Sequence, residues 1–410
     1  MNFVDFSNIP CFDNHAHSID AAQREITVFD FLKGYQALKD LKEPASGDLR
    51  DPLFGGFSDE LIQDVKSTGV VYSTVCHLAR LFDCEATLET VIEKRNEYVR
   101  AHGIQAYSQM LYGEGKLIGG VLETTNPIGE DVEDKIPGFQ VFRLYSFDHK
   151  VFDFLREADS YAQMLALYEA DVRSCFADPH YTGIKCHLSE VFSHTDARPV
   201  YEQEAELAFA SAKALVREDL KTVYLALLTR TMLLCQELNV PLHIHSGMTG
   251  HSTLLGEPGI AGQITCKKGS MFDGEPYALS LFLANPDFRR TKVVFLHAGY
   301  PWTRNLSMMA AFYPNVYIDM SCALSWTALT AERTLEELMS YAPFTKIVVG
   351  SGQGGIPEKG WMAAKTARTA LRTVLTRAVE NGFMSEQQAY ETAQNILYKN
   401  ACRLHKNFKV

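Results

Sequence analysis

Eight short runs rich in aliphatic and β-branched residues recur along this chain, most of them separated by stretches with helical periodicity. This alternation narrows the available folds more than any other feature. The runs are Ile9–His15, Leu117–Leu122, Phe139–Tyr145, Gly183–Leu188, Val240–His245, Lys292–His297, Asn315–Met320 and Lys346–Gly350. Parallel strands need long crossovers, which helices supply. Eight such units close a (β/α)8 barrel, so the expected class is α/β with a TIM barrel. Pro241 lies near the start of its run, where a missing N–H removes no ladder bond. Tyr313-Pro314, just before Asn315, marks a break between helix and strand.

Between the first two runs, roughly residues 18 to 115, lies a helical insertion expected to cover one mouth of the barrel. Its segments around Thr27–Leu41, Asp59–Lys66 and Thr87–His102 read as helices, and Pro44-Ala45-Ser46-Gly47-Asp48 reads as a loop. After the last run come two extra C-terminal helices, Trp361–Glu380 and Ser385–His405, divided by Asn381-Gly382. Ser385 and Gln388 fit a capping box at the second start. With no repeat, low-complexity tract or flexible linker, residues 1–410 read as one barrel domain with insertions.

Composition excludes several function classes. The net charge of -11, with no basic stretch, argues against nucleic acid as a general partner. No apolar run is long enough to cross a bilayer, and the N-terminus lacks the basic-then-apolar pattern of a secretory leader. The nine cysteines are scattered without a Cys-x-x-Cys motif, as expected of reduced, mostly buried thiols in a cytoplasmic protein. The expected partner is a small-molecule substrate. A homo-oligomer is compatible with the exposed helix faces of a barrel, though no feature demands one.

Three of the runs end in histidine. His15 and His17 lie two apart on the first, His243 and His245 on the fifth, and His297 closes the sixth. Residues two apart on a strand share a face, and barrel active sites form at the C-terminal strand ends. Neutral imidazoles converging there suit a divalent metal, zinc first, with manganese or iron as alternatives. Lys185, at the end of the fourth run, points inward with His187. It is read as a carbamylated bridging ligand, as a cation for a substrate carboxylate, or as a lysine reaching out to solvent. Arg143 is a candidate for bidentate carboxylate binding. Tyr300, Trp302 and Arg304 follow His297 on an expected mouth loop, where recognition residues are common. Glu190 is weighed as an acid/base against a solvated carboxylate. The Gly350–Gly355 segment lacks the Lys-Ser/Thr of a P-loop.

These residues resemble the amidohydrolase superfamily, in its amidohydrolase-2 branch. The resemblance is closer still to the amidohydrolase-like domain found alone, or fused to a glutamine-synthetase-like domain, in nodulin-related and FluG-type proteins. It is carried by Asp13-Asn14-His15-Ala16-His17, Gly183-Ile184-Lys185, Pro241-Leu242-His243-Ile244-His245-Ser246-Gly247, Leu296-His297-Ala298-Gly299-Tyr300-Pro301-Trp302-Thr303-Arg304 and Asn315-Val316-Tyr317-Ile318-Asp319-Met320-Ser321. It implies a metal held by His15, His17 and His245, with His243 as an inward neighbour. His297 would be a second-metal ligand or an acid/base. It also implies an aspartate after the eighth strand, which binds metal and takes a proton from water. Here Gly352 stands at that position, in Gly350-Ser351-Gly352-Gln353-Gly354-Gly355. Three readings follow: a disabled or inactivated site, coordination completed by carbamylated Lys185 or by water on Gln353 or Ser351, or chemistry needing no base there.

The expected function is metal-dependent hydrolysis of an amide-like bond in a small polar substrate, with a γ-glutamyl or other amino-acid amide suggested by the resemblance. The alternatives are a decarboxylase or lyase of the same branch using His297 and Arg143, and a catalytically silent metabolite-binding barrel.

Overall fold

Eight parallel strands form the wall: β1 (Cys11–His17), β2 (Leu117–Glu123), β3 (Gln140–Ser146), β4 (Tyr181–Cys186), β5 (Leu242–Ile244), β6 (Val293–Phe295), β7 (Val316–Asp319) and β8 (Ile347–Val348). Each pairs with the next in sequence. Backbone bonds from Asn14 N to Val349 O and from Gly352 N to His15 O, both 2.8 Å, join the far edge back to β1. The sheet therefore has no free edge and is the expected (β/α)8 barrel. This computed structural model describes residues 4–21, 25–34, 59–247, 271–352 and 354–408.

All eight sequence-read strands are present, with ends shifted by a few residues. β1 runs on to His17, through an irregular register between Asp13 and Ala16. β4 stops at Cys186, because His187 turns the chain into a short helix. Strand alternation sorts the side chains. Phe12, Val121, Phe142, Leu144, Val294, Leu296 and Val348 form one apolar cluster inside the barrel. Ile184, Cys186, Leu242, Ile244, Phe295 and Ile318 join the larger cluster shared with the helices.

The insertion contains α1 (Val28–Gly34), α2 (Asp59–Lys66), α3 (Gly69–Phe82) and α4 (Leu88–Glu114). The sequence reading contains α1, α2 and α4 but not α3. The later part of Thr27–Leu41 and the Pro44–Asp48 loop lie outside the described residues. Thr87 caps α4 by accepting from Thr90 N at 3.3 Å. Arg95 of α4 makes a buried ion pair with Glu358 at 3.1 Å, and Tyr107 OH donates to the same carboxylate at 2.9 Å. The insertion is thus anchored to the helix Glu358–Glu380, on the barrel's outer layer.

The C-terminal segment follows the expected two helices, Glu358–Glu380 and a second run from Glu386 to Leu404, with one irregularity inside the second. The Ser385/Gln388 capping box is present, but the chain then passes from Glu386–Gln394 through a wide turn at Asn395–Lys399 to the helix Asn400–Leu404. Asn400 Nδ2 donates to Phe344 O at 2.8 Å and to Ile347 O at 2.6 Å, which ties this helix to β8. Leu404 and Phe408 enter the inner apolar cluster, with the Phe408 ring 4.1 Å from that of Phe12. The last turn plugs the barrel. Among the described residues no helix is long and apolar enough to cross a membrane.

Candidate metal centre

At the C-terminal strand ends the inward positions change from apolar to polar. His15 is buried and His17 partly exposed, their rings 5.3 Å apart. Glu123 closes β2 as the register partner of His17, with its Oε2 3.9 Å from His17 Nε2. One ligand atom each from His15, His17 and Glu123 falls within 4.8 Å of the others. Burial, reinforced by Lys185 and neighbouring histidines, holds His15 well below the usual histidine range. Its imidazole is neutral, the form that binds metal.

A second group lies beside the first. Ligand atoms of His187, Glu190 and His245 also fall within 4.8 Å of one another. Asp148 fixes His187 by accepting from its backbone N at 2.9 Å and lying 3.0 Å from its Nδ1. That leaves Nε2 facing inward, against Lys185 Nζ and 3.6 Å from Glu123 Oε1. A carboxylate behind a histidine in this way sets the tautomer and raises the basicity of the free nitrogen. Glu190 is no solvated carboxylate: its side chain is 12% exposed and sits 3.7 Å from His245 Nε2.

His297 connects the two groups. Its Nε2 is 3.2 Å from His245 Nδ1, and its ring centroid is 5.6 Å from that of His15. On its other side Nδ1 meets Ser321 Oγ at 2.9 Å. Asp319 accepts from Ser321 N at 2.7 Å and from Asn14 Nδ2 at 2.8 Å, and His405 reaches Asn14 Oδ1 at 2.8 Å. Asp319 points inward, and burial pushes its carboxyl up to about 6. Trp326, half-buried, stands 6.0 Å from the His297 ring. The structure thus brings His15, His17, His245, His297 and Lys185 together. It adds Glu123, His187 and Glu190 as donors, with Asp148 behind them.

Other expected site residues lie elsewhere. Arg143 is a correction: it faces outward between two inward residues, and its guanidinium is taken up by Asp131 at 2.9 Å and Asp134 at 2.6 Å. Arg304 is another, since its side chain is 78% exposed and pairs with Glu337 on the outer helices. His243 points into the barrel 5.5 Å from the His405 ring. Neither of its ring nitrogens has a hydrogen-bond partner among the described residues. Tyr300 is half-buried against the core, and Trp302 lies 6.1 Å from Phe272.

Gly352 is not an aspartate site left vacant. Its φ is +58°, and a Cβ there would lie 2.1 Å from Cys322 Sγ. A metal fits the inner face on other grounds. His15 Nδ1 and Glu123 Oε2 are buried without hydrogen-bond partners among the described residues, and a set of neutral imidazoles with carboxylates suits zinc, manganese or iron.

Comparison with known proteins agrees with this architecture. A protein provisionally described as a metal-dependent hydrolase, from Lactobacillus casei ATCC 334, superposes with a TM-score of 0.76 at 19% identity over 100% of both chains. A uronate isomerase from Thermotoga maritima gives 0.62 at 14% identity over 97% of this chain and 95% of the other. The glucuronate isomerase of Caulobacter crescentus gives 0.62 at 13% identity, over 98% and 92%. At these identities the likeness is one of fold. The Amidohydrolase family model matches residues 170–406, more than half the chain, and the chain belongs to that family. Protein fluG of Emericella nidulans is 29% identical over 168 residues, 41% of this chain and 17% of that protein.

Proposed function

We propose that this chain is a metal-dependent hydrolase cleaving an amide-like bond in a small polar substrate. The observation that supports it most is the convergence of inward histidines from β1 and from the ends of β5 and β6 at the barrel mouth, with His297 within 3.2 Å of His245. A divalent cation held by His15, His17 and His245 would supply Lewis acidity toward a carbonyl oxygen and toward water, with His297 kept free as the acid/base.

The protein's own groups divide the remaining work. Ser321 engages Nδ1 of His297 and leaves Nε2 facing the site, where it takes up or releases the proton that passes to the leaving nitrogen. Burial, with His245 and Lys185 nearby, keeps His297 neutral. Lys185, fully buried and 3.6 Å from Glu123, is placed to hold a substrate carbonyl or carboxylate oxygen. Trp326 sets an apolar ring 6.0 Å from that of His297. A γ-glutamyl or other amino-acid amide is the proposed substrate class, by analogy with the domains this chain resembles.

A second reading is favoured by one observation, the lack of any carboxylate in the stretch from Ile347 to Pro357. It is decarboxylation of an unsaturated acid, with Lys185 as the cation because Arg143 faces away. Elemental analysis of the protein and of a His15→Ala/His17→Ala variant tests the metal. Amine release from γ-glutamyl amides, against loss of ultraviolet absorbance from unsaturated acids, separates the reactions. Stoichiometric metal lost in the variant, together with amine release, is the expected result. An unaltered protein that takes up no metal overturns the proposal.

A further inference from the structure

The end of β8 carries no acid in this chain, and its geometry leaves no room for one. At Gly352 the backbone is left-handed, and the volume a side chain would need belongs to Cys322 Sγ. Lys359 Nζ donates to Gly352 O at 2.9 Å and pins the turn in place. In a closed barrel, however, β1 has two neighbours. An acid on either one lies beside the His15–His17 pair.

The other neighbour is β2, and it ends in Glu123. Period-two alternation from Val121, which lies in the inner cluster, turns Glu123 inward as well. Its side chain is 9% exposed. Its Oε2 lies 3.9 Å from His17 Nε2 and 3.6 Å from Lys185 Nζ, and among the described residues it has no hydrogen-bond partner. His15 Nδ1, in the same three-residue group, also lacks one. Two donors that each stand about 2.1 Å from a tetrahedral ion lie about 3.4 Å apart. The His17–Glu123 separation is close to that spacing and too long for a hydrogen bond.

We propose that Glu123 replaces the absent β8 aspartate as the anionic ligand of the cation held by His15 and His17, the carboxylate having moved from one neighbour of β1 to the other. This rests on the metal-dependent reading above. Glu123 Oε1 then remains 3.6 Å from His187 Nε2, which ties the two donor groups together through a single side chain.

The test is titration of the full chain, stripped of metal, with Zn2+ and Co2+. Glu123→Gln should lose at least about a hundredfold in affinity, while its thermal midpoint in chelator matches that of the unaltered protein. Glu123→Cys loaded with Co2+ should gain a thiolate-to-cobalt absorption band that the unaltered protein lacks. Glu123→Gln binding with undiminished affinity, or Glu123→Cys binding Co2+ without the band, overturns this assignment and leaves the metal centre standing. A band already present in the unaltered protein and lost in Cys322→Ser also overturns it, by giving the ligand role to the thiol. Failure of the unaltered protein to bind either ion removes the metal-dependent reading itself.

Discussion

The two ends of the barrel interior are built from the same strands and obey opposite rules. At the closed end, Phe12 lies 6.2 Å from Phe142 and 4.1 Å from Phe408, in a cluster completed by Leu404 and Ala401. At the open end the same strands present His15, Glu123 and Lys185, with polar atoms left unpartnered. An unpartnered buried polar group costs about 1–3 kcal/mol, whereas each buried aromatic or leucine returns about 1.5–3 kcal/mol. Apolar burial is therefore concentrated at the plugged end, while the open end holds the unpartnered His15 Nδ1 and Glu123 Oε2.

The sharpest way to break this contrast is Phe12→Ala. It empties the ring stack between β1 and the C-terminal plug, and the expected loss is about 3–5 kcal/mol in urea unfolding. Metal affinity of the fraction that remains folded should match the unaltered protein. A variant that loses metal before it loses stability would show that the two ends are not separable.

Gly352→Asp comes next, and its sign is the informative part. Restoring the family's aspartate should destabilise, because a left-handed backbone costs an L-residue about 1–2 kcal/mol and the clash with Cys322 adds about 1–3 kcal/mol. Thermal denaturation checks the loss. A stable Gly352→Asp protein with raised metal affinity would mean that the position is vacant rather than filled.

Acidification probes both ends more gently. Burial lowers His405, at the plug, to about 4 from its ordinary 6.5. The folded protein keeps this imidazole neutral, while the unfolded chain protonates it as pH falls through 6.5. Stability is unaffected above that pH and declines toward pH 4, by at most about 1.4 kcal/mol per pH unit for this group. His405→Gln, which preserves a donor for Asn14, should flatten the slope measured by urea unfolding at stepped pH. An unchanged slope would place the acid sensitivity at the open end alone.

How much of this was legible in the sequence follows from the same geometry. The eight strands could be read because each is an aliphatic run closed by a turn. The histidines could be read because three runs end in them. Glu123 lies one residue past the apolar run Leu117–Leu122, although alternation from Val121 turns position 123 inward. Arg143 was misread because β3 is covered on both faces, so Gln-Val-Phe-Arg-Leu-Tyr-Ser carries no alternation to betray its facing. His187 was legible as an inward neighbour of Lys185 and Glu190 as a candidate acid/base, but their meeting with His245 depends on the helical turn after β4, whose path no local signal reveals. The filling of the Gly352 position by Cys322 brings together residues 30 apart, each with positive φ, and nothing in either local sequence announces it.

The smallest expected effect belongs to Arg304, which the motif after β6 had placed at the mouth. Its guanidinium is mostly exposed and 3.3 Å from Glu337, on the outer helical layer. Exposed pairs of this kind gain little, because water screens the attraction and ordering two long side chains offsets much of what remains. Arg304→Ala should therefore leave thermal midpoint, metal affinity and substrate KM unchanged within error. A rise in KM with kcat preserved would show that the side chain swings inward when substrate binds. In that case the open end would recruit residues from the outer layer, and the boundary between stability and function would lie further out than the barrel wall.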